Sequence, residues 1–219
     1  MEIQALIGFL KKLNNNNNKE WFDLHKKEYD KLRADWIEMA SKVIKQTAVF
    51  DAGIGDLDPK KCIFRINRDV RFSANKAPYK NNFGMSLSKG GKASDFCGYY
   101  VHIQPGEAFI AGGSYQPMPD KLAAIRQEID YNLDEFKSIV EHKDFVKHFG
   151  GLSGDKLQRP PKGYDAENAA IEYIKHKGFL AYAKIDDKNL TEKDLLKHCQ
   201  TLFKAMKPLN DFLNRAISG

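Results

Sequence analysis

The chain has 219 residues, 42% hydrophobic and 29% charged, with 35 lysines and arginines against 29 aspartates and glutamates for a net charge of +6. This suits a soluble globular chain with a core of its own, ordered outside its ends, predicts one domain spanning 1–219, and favours acidic or polyanionic partners without reaching the charge of a nucleic-acid coat. Cys62, Cys97 and Cys199 are odd in number and lack a Cys-x-x-Cys spacing, so no disulfide framework or zinc site is predicted; with no signal-peptide pattern or membrane-length apolar run, the expectation is a cytoplasmic protein with no membrane partner.

Ile3, Leu6, Ile7, Leu10 and Leu13 fall on one helical face, and the asparagines Asn14 to Asn18 stop that helix. Asn17 or Asn18 then caps the next helix, the functional alternative being that Asn17 and Lys19 reach a ligand. From Glu20 to about Ala48, Phe22, His25, Tyr29, Leu32, Trp36, Met39, Val43 and Ile44 step by three and four, predicting one long helix with His25 as a core residue on its stripe. Asp51 to Pro59 is a loop whose Asp51, Asp56 and Asp58 lack a complete calcium-loop spacing.

Strand alternation begins at Cys62, continues through Phe83, Met85 and Leu87, then Tyr99, Val101 and Ile103, and turns at Pro105-Gly106 into Ala108 to Gly112. The expected fold is α+β, a mostly antiparallel sheet over about residues 62–115 packed on one face by N- and C-terminal helices. Arg65, Asn67, Ser86, Tyr100 and His102 share the polar face, which makes His102 the candidate acid–base histidine. Gly112-Gly113-Ser114 either lets backbone N–H groups approach an anion or marks a bulge.

Pro119 opens a helix buried through Leu122, Ile125 and Ile129, and Asn132 to Glu135 has the capping-box form for a helix from Phe136 to His142, with more helix from Phe145 to Phe149. His142 and His148, six apart, do not share a helical face, so neither is assigned to metal. Leu157 to Asp165 is a prolyl loop presenting Arg159, Lys162 and Tyr164, either a second wall of an anion pocket or a surface crossing. A helix from Glu167 to Lys175, an edge strand over Phe179 to Ile185, and a last helix complete the chain. Thr191 and Asp194 cap that helix, Leu195, Leu202, Met206, Leu209 and Leu213 line it, and Pro208 bends it.

The densest chemistry lies in Arg65 to Lys80. Arg65, Arg68 and Arg71 recur every third position around Asp69, and Asn75, Lys76, Tyr79 and Lys80 follow. Guanidinium groups take carboxylate or phosphate oxygens in pairs, so several converging on one point form an anion site, whereas an internal Arg–Asp network of the same composition only pins the loop.

The pattern Arg65-x-x-Arg68-Asp69-x-Arg71-Phe72 followed by Asn75-Lys76-x-x-Tyr79 resembles the signature of the uncharacterised family catalogued as domain of unknown function 2461. Asn17 to Phe22, Gly112-Gly113 and Pro161 to Asp165 extend the likeness over nearly the whole chain. The resemblance implies a family and no activity, and it brings no catalytic residue with it.

Three functions fit these residues. The first is a site for a small phosphorylated or carboxylated molecule. In it Arg65, Arg68, Arg71, Lys76, Lys80 and Lys162 bind the anion, Asp69 and Asn75 organise the site, and Tyr79 or His102 moves a proton. The second is a nucleic-acid backbone binder with Tyr79 or Tyr164 stacking on a base. The third is an interaction module with structural arginines. No nucleotide-loop, metal or triad pattern is complete, so no cofactor is expected.

Overall fold

The computed structural model describes residues 1–218. In chain order, α1 is Ile3–Asn15, α2 Lys19–Leu24, α3 Lys26–Ala48 and α4 the single turn Pro59–Cys62. The strands β1 Phe83–Ser88, β2 Gly98–Ile103 and β3 Phe109–Ser114 follow, then α5 Pro119–Tyr131, α6 Leu133–Val140, α7 Lys143–Phe149, α8 Ile171–Ile174, β4 Phe179–Lys184 and α9 Glu192–Ser218. The fold is α+β with a four-stranded antiparallel sheet in the order β1-β2-β3-β4. None of the described helices is long and apolar enough to cross a membrane.

Two compact units emerge: Met1–Leu87 with Tyr100–Ile110 and Lys184–Gln200, and Ser88–Tyr99 with Ala111–Ala183 and the chain from Thr201 onward. In the first, α1 buries Ile3, Leu6, Ile7, Phe9, Leu10 and Leu13. A helix of this length is marginal alone in water, and burial at roughly 2 kcal/mol per large apolar side chain is what holds it. Trp36 of α3 lies edge-on to Phe83, and its indole N–H donates to the Gly84 carbonyl at 3.3 Å. The Met1 amino group and Lys42 both pair with Glu192 at the start of α9, where Thr191 and Asp194 form the expected reciprocal cap.

In the second unit, Phe203 stacks on Tyr99 at 4.4 Å, and Asn210 donates to the Gly98 carbonyl. Phe136 packs on Phe179 and Phe212. Arg215 joins Glu128 and Glu135 on the surface. α9 continues through Pro208 as one helix.

Four features differ from expectation. Asn132 forms no capping box: its amide donates to Glu128 Oε1, and no side-chain hydrogen bond caps α6. The long helix is broken at His25: its ring Nδ1 bonds the Trp21 carbonyl at 2.8 Å, and its own N–H is shared between Trp21 and Phe22, taking up the Phe22 carbonyl that the Lys26 N–H would bond in a continuing helix. His25 stacks on Trp21 and is only half-buried. Cys62 ends a helical turn capped by Asp58 rather than starting a strand; the extended chain after it makes only isolated bridges, Ile63 with Met85 and Asn67 with Tyr79. The helix expected over Glu167 to Lys175 shrinks to Ile171–Ile174, because Asn168 turns back to accept from the Ala170 N–H and donates to Asp130.

Both outer strands are paired on their far sides. The Phe64 N–H donates to the Gly84 carbonyl of β1, and Ser153 exchanges two backbone hydrogen bonds with Leu180 of β4.

Candidate functional site

The arginine segment is the tip of an irregular hairpin. Lys80 N–H donates to the Ile66 carbonyl and Arg68 N–H to the Pro78 carbonyl, flanking the Asn67–Tyr79 bridge. In an antiparallel ladder the residue of such a non-bonded pair points its own N–H and C=O outward. At Tyr79 both are taken by one side chain: Tyr79 N–H donates to Asn17 Oδ1 and Asn17 Nδ2 donates to the Tyr79 carbonyl, each at 3.0 Å. Asn17 thus acts as a one-residue strand, and the capping of α2 falls to Asn18, which accepts from the Trp21 N–H.

Within the tip the cations part company. Arg68, half-buried, donates from Nη1 to the Ala77 carbonyl at 3.0 Å and from Nη2 to Ser73 Oγ at 3.2 Å. Arg71 turns onto Asp69 in a two-pronged pair of 3.0 and 2.7 Å, which holds the Asp69 carboxyl below its usual range and the guanidinium above its own. Lys76 straps the loop by donating to the Val70 carbonyl, and Asn75 Oδ1 accepts from the Ala77 N–H. Arg65 is exposed. Phe72 stands 95% exposed at the apex with the Arg71 guanidinium 5.8 Å from its ring centre. Arg71 and, at longer range, Arg65 act on the Asp69 carboxyl, and Arg68 is the one of the three that lines the hollow described next.

That hollow, about 660 Å³, is lined by Arg68, Asp69, Asn75, Tyr79 and Lys80, and by Asn14, Asn17, Ala77, Asn81 and Asn82. Its size is in the range of small-molecule sites. Lys80 also sits over the Phe64 ring at 5.3 Å. Tyr79 is buried with its ring stacked on Phe22, and burial together with Asp23 and Glu20 raises its phenol above the ordinary value, keeping it neutral. A second hollow of about 250 Å³ shares Asn14 and Asn81 with the first and adds Lys11, Asn15, Gln104 and Pro105.

His102 lines neither hollow. It is 9% exposed and stacked on Phe109 at 4.5 Å, with the Tyr100 hydroxyl 3.0 Å from Nδ1 and Gln104 Oε1 3.2 Å from Nε2. The amide oxygen can only accept, so Nε2 carries the proton and Nδ1 accepts from Tyr100. Burial lowers the pKa of His102 and pushes the Tyr100 phenol up to about 12. Gln104 passes the chain on to Glu107. What reaches the second hollow is therefore the Gln104 amide, oriented by His102.

Lys162 is exposed on the prolyl loop, whose Tyr164 lies near Arg126 and Asp130; Arg159, Lys162 and Tyr164 line neither hollow. The diglycine is explained by packing: a Cβ at Gly112 would stand 2.2 Å from Met206 Sδ, and one at Gly113, where φ is +103°, 2.1 Å from the Phe179 carbonyl oxygen. Cys62, Cys97 and Cys199 are all buried thiols, and no cluster of metal-ligating side chains occurs among the described residues.

The family model described as "Conserved hypothetical protein (DUF2461)" matches residues 5–212. The chain belongs to this family. No curated protein and no solved structure matches it. In this DUF2461 chain the residues on which the sequence resemblance is read fall in different surroundings. Asn17, Arg68, Asp69, Asn75 and Tyr79 line one hollow, while Gly112-Gly113 and the prolyl loop serve packing and surface. Sequence reasoning missed the amide wall, Asn14, Asn81, Asn82 and Gln104. Its one signal was the asparagine pair Asn81-Asn82 directly after Lys80, echoing the run at Asn14.

Proposed function

We propose that the Arg68 hollow binds a small anion bearing a phosphate or carboxylate. The observation that carries this is the state of Arg68: two of its N–H groups hold it to Ala77 and Ser73, leaving three of five donors for a ligand in the same wall as Lys80. The one carboxylate in that wall, Asp69, is already engaged by Arg71. A positioned guanidinium loses little entropy on binding an oxyanion. Arg68 orients the anion in this reading, Lys80 supplies charge, and Tyr79 serves as wall and neutral hydrogen-bond donor. His102 is a positioning residue acting through Gln104, so the proposal is binding without an assigned reaction.

The test is calorimetric titration of the full chain with inorganic phosphate. Arg68→Lys should weaken binding about tenfold by losing the fork, and Arg68→Ala should abolish it while the melting temperature falls by only a few degrees, as loss of two hydrogen bonds requires. A collapse of stability in Arg68→Ala, with no phosphate bound by the parent protein, would make the cluster purely structural.

A second reading, nucleic-acid backbone binding, rests on the apex. Arg65 to Lys80 holds five cations and one carboxylate, a net +4 of the chain's +6, and Phe72 is the exposed aromatic there. The tyrosines expected to stack are covered, Tyr79 by Phe22 and Tyr164 by its half-buried setting. Single-stranded oligonucleotides would then bind with a steep salt dependence, abolished by Phe72→Ala together with Arg71→Ala; a shallow dependence returns the site to the small anion.

A further inference from the structure

We infer that the ligand is a polyhydroxylated phosphate ester of the sugar phosphate class, its phosphate at Arg68 and Lys80 and its hydroxyls along the amides shared by the two hollows. The inference rests on the anion reading above and adds the other end of the ligand. Its basis is the wall chemistry. Asn17 is occupied by Tyr79, and Gln104 by His102 and Glu107. The side chains of Asn14, Asn15, Asn81 and Asn82 make no hydrogen bond among the described residues, and Asn75 has spent only its oxygen. Each free amide offers an oxygen acceptor beside two N–H donors. A hydroxyl is itself both donor and acceptor, so a pair of neighbouring hydroxyls meets an amide edge with both groups satisfied. A carboxylate, which only accepts, and an ammonium, which only donates, leave half of each amide unmatched.

The apolar content of the walls is equally selective. Ala77, Tyr79 and Pro105 are the only lining residues without an amide or a charge, and the Tyr79 ring has Phe22 against it. A nucleobase or acyl chain would therefore face mostly polar walls and recover only part of the free energy of burying its apolar surface. The charge is also lopsided. Arg68 and Lys80 belong to the larger hollow, Asn14 and Asn81 join it to the smaller one, and the cation beyond them is the exposed Lys11. A ligand with one anionic end and a neutral hydroxylated body matches that layout, and Lys11 can donate to a distal hydroxyl.

The experiment compares inorganic phosphate, glucose 6-phosphate and phenyl phosphate by calorimetric titration of the full chain and of Asn81→Ala, with circular dichroism melts to verify folding. Glucose 6-phosphate should bind at least tenfold tighter than either of the others. Asn81→Ala should remove about tenfold of the glucose 6-phosphate affinity, corresponding to an amide that makes two hydrogen bonds, and should change inorganic phosphate by less than twofold. If the parent protein binds phosphate but takes phenyl phosphate as tightly as glucose 6-phosphate, the hydroxyl assignment is overturned and the anion site stands. If none of the three binds, both fall. The three-ligand comparison on the parent protein decides the matter even where Asn81→Ala fails to fold.

Discussion

Replacing Asn17 by Ala tests how the hairpin that carries Arg68 is held. The side chain makes two hydrogen bonds of 3.0 Å to the N–H and C=O of Tyr79, both part-buried. At about 1 kcal/mol net for each, with the Tyr79 groups left to find water at the hollow, Asn17→Ala should cost about 2 kcal/mol. With a urea m-value of roughly 2 kcal/mol/M, the unfolding midpoint falls by about 1 M with the slope unchanged. Asn17→Asp is the sharper version: it keeps the acceptor for the Tyr79 N–H but sets an oxygen against the Tyr79 carbonyl, so it should lose at least as much despite being nearly isosteric. Asn16→Ala is the control, since Asn16 donates only to the exposed Lys12 carbonyl, and its midpoint should move less than half as far. An Asn17→Ala midpoint within about 0.2 M of the parent value would refute the one-residue-strand account.

Two further outcomes follow from buried groups. His176 is 3% exposed with Nδ1 unpartnered, and burial, with Lys156 nearby, lowers its pKa from 6.5 to about 4. Below 6.5 the unfolded chain takes up a proton that the folded one refuses, so stability is full above 6.5 and drops by about 3 kcal/mol by pH 4. Urea midpoints for the parent and His176→Asn should diverge in slope over that window, and parallel profiles would show that the folded imidazole takes up the proton as readily as the unfolded one. Gly113→Ala should cost about 3 kcal/mol or more, combining a positive φ with a Cβ against the Phe179 carbonyl. Gly91→Ala, at φ +92° with open space around it, carries only the backbone penalty of about 1–2 kcal/mol, and equal melting temperatures for the two would contradict the close approach.

The periodic elements were legible because periodicity is a local property. Phe83, Met85 and Leu87, the Pro105-Gly106 turn and the Thr191–Asp194 cap all appear where their spacing places them. The break at His25 left no trace in the apolar stripe, since α2 and α3 keep the same step across it; only the His25 N–H reaching back to the Phe22 carbonyl, with its ring on Trp21, shows why the chain turns. The site was half legible. Spacing brought Arg65, Arg68 and Arg71 to one loop, but a single carboxylate among three guanidinium groups does not say which it will hold. The choice of Arg71 is what leaves Arg68 to the hollow. The amide wall was hidden for another reason: Asn14, Asn81 and Gln104 are far apart in the chain, and asparagine reads locally as a turn or cap residue.

The short pairings along the outer strands govern how this sheet meets other copies of itself. An exposed β edge is a template on which further chains can polymerise. Here an incoming strand would meet Phe64 already bonded to Gly84 at one border and Ser153 already bonded to Leu180 at the other, so neither edge offers an uninterrupted row of amides. The hairpin that presents Arg68 therefore begins with a segment that also guards the sheet, and a deletion trimming it back to Ile63 would unmask a self-association surface along with erasing the site.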